Sequence, residues 1–135
     1  MTPKATVSEN CVTPFHEMTA SLSQTTWWYG WSNYVMPDVY SDPVSELSAI
    51  RERVAMIDMS PLPKIEITGP DAEKFVDYLT VRKTTKNVVG HVLYTAWCTH
   101  EGNLISDGLV FRHEQDRYIL GVDNCLEWIK SNVDG

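Results

Sequence analysis

Apolar residues at Val44, Leu47, Ile50 and Val54 recur at spacings of three, three and four, the period of one helix face. Asp42-Pro43 stands just before them as an N-cap and a first helical residue, so the pattern predicts a helix ending near Arg53. Residues 55–58 read as a short strand, and Ser60-Pro61-Leu62-Pro63 then breaks regular pairing. Lys64-Ile65-Glu66-Ile67-Thr68 alternates polar and apolar as a half-buried strand does, and Gly69-Pro70 stops it. Ala72, Phe75, Val76 and Leu79 return to helical spacing, with Asp71 in the first turn, where its charge favours the unpaired amides.

Beyond a polar connector at 83–90, three strands are expected at 92–98, 104–111 and 117–122. Glu101-Gly102-Asn103 and residues 113–116 supply hairpin turns, and a last helix is expected over 124–130. Connections this short do not allow a parallel crossover, so the fold class is α+β, an antiparallel sheet with packed helices. The chain divides into an aromatic-rich segment at 1–42 and an α+β portion at 43–135. The first holds Trp27, Trp28, Tyr29, Trp31, Tyr34 and Tyr40 within fourteen positions, without a clean helical or strand period. Such rings cover a core edge, line a cavity or meet a partner.

A chain of 135 residues is enough for an ordinary core. The 11 Lys and Arg against 18 Asp and Glu give a net charge of -7 without a basic block, which argues against a grip on nucleic acid. No apolar run is long enough to span a bilayer and the first dozen residues lack a signal-peptide core, so no membrane partner is expected. Cys11, Cys98 and Cys125 are an odd set without CxxC spacing, which points to free thiols and a cytoplasmic location.

Asp107 lies in the apolar run Leu104-Ile105-Ser106-Asp107-Gly108-Leu109-Val110. It is either a solvated strand residue beside a bulge at Gly108 or a carboxylate that holds an amine or orients a one-carbon donor. Tyr94 and Trp97 fall on opposite strand faces by parity, one for the core and one for a ligand or solvent. Asp123 and Asn124, just past a strand end, either present polar groups at a sheet edge or cap the last helix. Cys98 and His100 would share a strand face, but no compact metal-ligand framework is present, and no metal is expected. GxGxxG, P-loop and GxSxG motifs are absent. Lys64, Arg82 and Lys83 are surface charges or neutralise a carboxylated ligand tail.

Thr13-Pro14-Phe15, the aromatic segment, Ala55-Met56-Ile57-Asp58-Met59-Ser60, Ile65-Glu66-Ile67-Thr68-Gly69-Pro70-Asp71-Ala72, Glu101-Gly102-Asn103-Leu104-Ile105-Ser106-Asp107 and Asp116-Arg117-Tyr118-Ile119-Leu120 follow one another in an informative order. As an ordered series they resemble the N-terminal, folate-binding part of the aminomethyltransferase family, which includes the glycine-cleavage T-protein and tetrahydrofolate-dependent demethylases. The resemblance implies tetrahydrofolate as cofactor and a methyl or aminomethyl group passed to folate N5 from an amine, ether or sulfonium donor. It implies Asp107 as the carboxylate that positions folate and donor, Tyr94 as an aromatic beside the pteridine, and Asp123 where many members have an asparagine contacting folate. Three departures stand out: Asp123 replaces that asparagine with a carboxylate that cannot donate as an amide does, Asn103 replaces the second glycine of the family's Gly-Gly pair, and Ser106-Asp107 replaces its Asp-Asp pair. Family enzymes are much longer, so the resemblance also implies remaining domains or a companion subunit. The alternatives are a noncatalytic folate-binding or assembly protein, and an interaction subunit that docks through its aromatic segment.

Overall fold

Residues 11–133 are described in the structure, a computed structural model, and they fall into two units that divide after Pro61. The first unit contains β1 (Cys11–Val12), α1 (His16–Leu22), β2 (Trp28–Trp31), β3 (Tyr34–Pro37) and α2 (Pro43–Glu52). The aromatic stretch is a hairpin: β2 pairs antiparallel with β3, from Trp28 opposite Pro37 to Trp31 opposite Tyr34, and β1 joins β3 in parallel. Trp27, Trp28 and Tyr29 remain exposed. Helix α2 starts as its sequence dictates, with Pro43 in the first turn and the Asp42 carboxylate accepting the Ser45 N–H at 2.8 Å. That hydrogen bond holds the Asp42 carboxyl below its ordinary range.

Helix α2 ends at Glu52 with Arg53 as its C-cap, as the spacing predicts, and on its periodic face Val44, Leu47 and Ile50 are 72%, 58% and 62% exposed. One expectation is corrected in this unit. Residues 55–58 form no strand, because among the described residues no neighbouring strand pairs with them and Met56 and Ile57 stay in water.

The second unit contains β4 (Lys64–Thr68), α3 (Ala72–Leu79), a single 3₁₀ turn at Thr84–Lys86, β5 (Val92–Cys98), β6 (Leu104–Glu114), β7 (Arg117–Val122) and α4 (Leu126–Ser131). Its sheet has the order β4-β7-β6-β5, every neighbouring pair antiparallel, so the α+β class with packed helices holds. On one face, Trp97, Val110, Tyr118, Leu120 and Val122 meet Ala72, Val76 and Leu79 of α3 and Ile129 of α4. Cys125 lies in this core, where burial pushes its thiol pKa up to about 11. Among the described residues, no helix is long and apolar enough to cross a membrane.

The elements expected at 64–68, 92–98 and 117–122 have those bounds, and β6 runs further than expected, to Glu114. The last helix begins later, at Leu126, because Asn124 takes a positive φ of 49° that breaks helical geometry. Gly102, at φ 87°, makes the β5–β6 turn. The bulge is at Ile105, skipped between the Trp97–Ser106 and Cys98–Leu104 pairs, and Gly108 sits in regular register between Thr95 and Val122. The 83–90 connector is anchored rather than merely solvated. The Asp77 carboxylate accepts from Thr84 N at 2.6 Å, Thr84 Oγ1 at 3.2 Å and Thr85 N at 3.2 Å. Burial pushes its pKa up, but these hydrogen bonds outweigh that and hold it below the ordinary range.

Arg112 is the polar centre of this unit, with its side chain 5% exposed. Nη1 donates to Glu73 Oε1 at 2.8 Å and to Asn87 O at 2.7 Å, Nη2 donates to Gln115 O at 3.0 Å, and the guanidinium lies 5.2 Å from the Tyr118 ring centre. One side chain thus ties α3, the connector and the β6–β7 turn to the sheet.

Candidate functional site

The face of the sheet opposite the helices carries the chemistry. Parity along β5 places Leu93, Thr95 and Trp97 on the core side and Tyr94 and Ala96 on the other. Trp97 is wholly buried and Tyr94 is 58% exposed, which settles the two rings as core and surface. In the β5–β6 ladder Tyr94 opposes Leu109 and Ala96 opposes Asp107, so Tyr94 and Asp107 are diagonal neighbours on one face. The Tyr94 hydroxyl donates to Asp107 Oδ2.

These two side chains border an open groove of about 490 Å³, within the range of roughly 300–1,000 Å³ common for small-molecule sites. Val81 and Leu104, both mostly exposed, supply apolar walls, and Arg82 and Thr95 complete one side. Sequence reasoning did not assign Val81 or Leu104 to the site. Their one signal in the sequence is that each is a large apolar residue beside polar ones, Val81 just past α3 and Leu104 at the start of β6.

The hydrogen bond to Asp107 raises the Tyr94 pKa above its ordinary value of about 10, with some burial and the nearby negative charge acting in the same direction. The sign follows directly. The bond exists only while the phenol keeps its proton, so it is fully present below the ordinary tyrosine pKa and is lost as pH rises through the raised one. In an absorbance titration, the difference between wild type and Tyr94→Phe is expected to show a phenol titrating above the ordinary value. Asp107→Asn is expected to bring it back toward that value, and an unchanged titration in Asp107→Asn would show that the pair does not form in solution.

Asp123 is placed differently. The β6–β7 ladder ends at Gly108 opposite Val122, and Asp123 follows one residue later, half-buried and outside the groove lining. Strand β7 is interior to the sheet, so Asp123 is not at a sheet edge, and the residue at the N-cap of α4 is Cys125. The structure therefore joins Tyr94 to Asp107 and does not bring Asp123 into the same groove. Of the basic candidates, Arg82 lines the groove; Lys64 is on β4 at the far side of the sheet and Lys83 is in the connector.

A second, smaller cleft of about 190 Å³ lies between the end of α3, the β5–β6 turn and α4. His100 lies in the turn after β5, off the strand that carries Cys98, but both residues line this cleft. The His100 ring is 5.1 Å from that of Trp128 and 6.4 Å from that of Tyr78. Among the described residues, no group of three or more His, Cys, Asp or Glu side chains gathers as a metal site.

Comparison with known proteins gives three findings. A family model described as the GCVT N-terminal domain matches residues 15–134. The chain is 38% identical over 136 aligned residues to a trimethylamine-oxide aldolase of Ruegeria pomeroyi, a match that covers 98% of this chain and 17% of that protein. Its fold is similar to that of the glycine cleavage system aminomethyltransferase T of Bartonella henselae, with a TM-score of 0.73 and 17% identity, over 93% of this chain and 36% of that one. The chain thus spans well under half the length of either protein.

Proposed function

The chain belongs to the GCVT N-terminal domain family, and from that premise we propose that it supplies the pteridine-holding sheet face of a tetrahydrofolate-dependent one-carbon transferase. The observation that carries this reading is the juxtaposition of the Tyr94 hydroxyl and the Asp107 carboxylate at the rim of an open, largely apolar groove. The residues fit a reduced pteridine: an exposed ring for stacking, a carboxylate to accept from ring N–H groups, and apolar walls.

Tetrahydrofolate, when bound, supplies N5 as acceptor of the one-carbon unit. The chain's own residues bind and orient. Tyr94 covers a face of the heterocycle, and Asp107 exchanges its tyrosine donor for a donor on the ligand and sets a negative charge beside the reacting centre. Holding donor and acceptor together supplies much of the rate, and a fixed carboxylate stabilises positive charge that develops on the transferred carbon. Among amine, ether and sulfonium donors, the 38% identity to a protein named for trimethylamine oxide, the N-oxide of a methylated amine, favours the nitrogen-bound class. The remaining walls come from further domains or a companion subunit, and the setting is the cytoplasm.

Anaerobic calorimetry of the chain with tetrahydrofolate tests this. Saturable one-to-one binding is expected, weakened about tenfold by Asp107→Asn, as loss of one charge-assisted hydrogen bond predicts. A folded chain that binds nothing overturns it. The exposed Trp27, Trp28 and Tyr29 favour a second reading, in which the N-terminal hairpin docks onto a companion part of the enzyme.

A further inference from the structure

Arg82 is the residue of the groove that this reading leaves without a task. It follows α3 and runs beside the outer side of β5, where its backbone N–H donates to Thr95 Oγ1 at 3.1 Å. Its Nη1 donates to the Tyr94 carbonyl at 3.0 Å, which fixes the guanidinium against the same strand residue whose ring borders the groove. That bond uses one of the five N–H donors of an arginine and satisfies a neutral acceptor, leaving the charge uncompensated. Among the described residues Arg82 enters no ion pair, whereas Arg112, Arg117 and Lys130 each hold a glutamate. The nearest acidic member of the groove, Asp107, takes its hydrogen bond from Tyr94 instead.

A cation and a carboxylate thus border one apolar groove without neutralising each other, in a chain whose net charge is -7. A ligand that matches both has an N–H donor toward Asp107 and an anionic group toward Arg82. We infer that Arg82 binds the carboxylate-bearing tail of the ligand held on the Tyr94–Asp107 face, and so selects carboxylated pteridines over bare ones. A guanidinium suits this because its planar fork meets a carboxylate through two parallel hydrogen bonds. The inference rests on the folate reading above and adds to it the source of the tail contact.

Anaerobic calorimetry with two probes separates the two. Tetrahydrofolate carries the carboxylated tail; 6-methyltetrahydropterin has the reduced ring alone. In the whole chain, Arg82→Gln is expected to weaken tetrahydrofolate about tenfold, the size of a lost charge-assisted hydrogen bond, and to leave the tetrahydropterin unchanged. Arg82→Lys, which keeps the charge and loses the fork, is expected to recover part of the loss, and added salt to weaken tetrahydrofolate more than the tetrahydropterin. Asp107→Asn is expected to weaken both probes alike. Equal weakening of both by Arg82→Gln, or of neither, overturns the inference and leaves the folate reading intact, because the wild type still binds. A folded wild type that binds neither probe overturns both.

Discussion

Replacing Arg112 with alanine is expected to lower the unfolding free energy by about 3–5 kcal/mol, the combined cost of a void in the core and of several acceptors left without a donor. The side chain is 5% exposed and holds the carbonyls of Asn87 and Gln115 as well as the Glu73 carboxylate. Its removal leaves those groups without their donor and opens a void over the Tyr118 ring. The partner is not equivalent. Glu73→Ala strands a guanidinium that is 5% exposed, but Arg112 keeps its two carbonyl acceptors and the shortened side chain at a site 34% exposed lets water reach it. That change is expected to cost about 2 kcal/mol, the loss of one charge-assisted hydrogen bond. Urea unfolding followed by circular dichroism measures both. Equal costs in the two variants would mean that the pair alone, and not the web of carbonyls around Arg112, holds α3 and the connector to the sheet.

Gly108→Ala is the second large effect. A Cβ at Gly108 would stand 2.2 Å from the Gly121 carbonyl oxygen and 3.2 Å from Val122 Cα, both on the backbone of the neighbouring strand. No side-chain rotation relieves such a contact, so β6 and β7 must part where their ladder ends. Overpacking together with weakened ladder bonds predicts a loss on the order of 3 kcal/mol, a large share of the roughly 5–15 kcal/mol that holds a typical domain. Gly121→Ala is the control. Its added Cβ would meet the tips of Leu62 and Phe111 at 3.4 and 3.5 Å, which is ordinary contact, and under about 1 kcal/mol is expected. Gly108→Ala is also expected to displace Asp107 and return the Tyr94 phenol toward its ordinary titration. A Gly108→Ala protein as stable as Gly121→Ala would mean that the strands are not held this close.

The second unit was legible in the sequence where one face is buried and the other wet. Lys64–Thr68 alternates in burial as its residues alternate in polarity, and the stripe Ala72, Phe75, Val76 and Leu79 packs inward as spaced. At α2 the same logic found the helix and its end, while its apolar face is exposed, because periodicity reports which residues share a side and not whether anything covers it. Residues 55–58 have strand-like composition but, among the described residues, no partner strand, and a strand is defined by its partner. The Tyr94–Asp107 pair was half legible: parity put Tyr94 opposite Trp97, while the diagonal meeting with Asp107 depends on a register that the bulge at Ile105 sets. Arg82 was one of three basic candidates until the course of the chain after α3 brought it to the groove.

Strand β5 ends the four-stranded sheet, and a terminal strand with bare carbonyls is a template on which another chain can add. Here the Val81 N–H donates to Ala96 O at 3.0 Å and the Arg82 guanidinium to Tyr94 O, so two successive outward acceptors are already taken. The segment after α3 therefore works as a guard against intermolecular β-pairing at the edge of the sheet that borders the groove. Arginine here does with a side chain what a fifth strand would do with its backbone, and it leaves the groove uncovered.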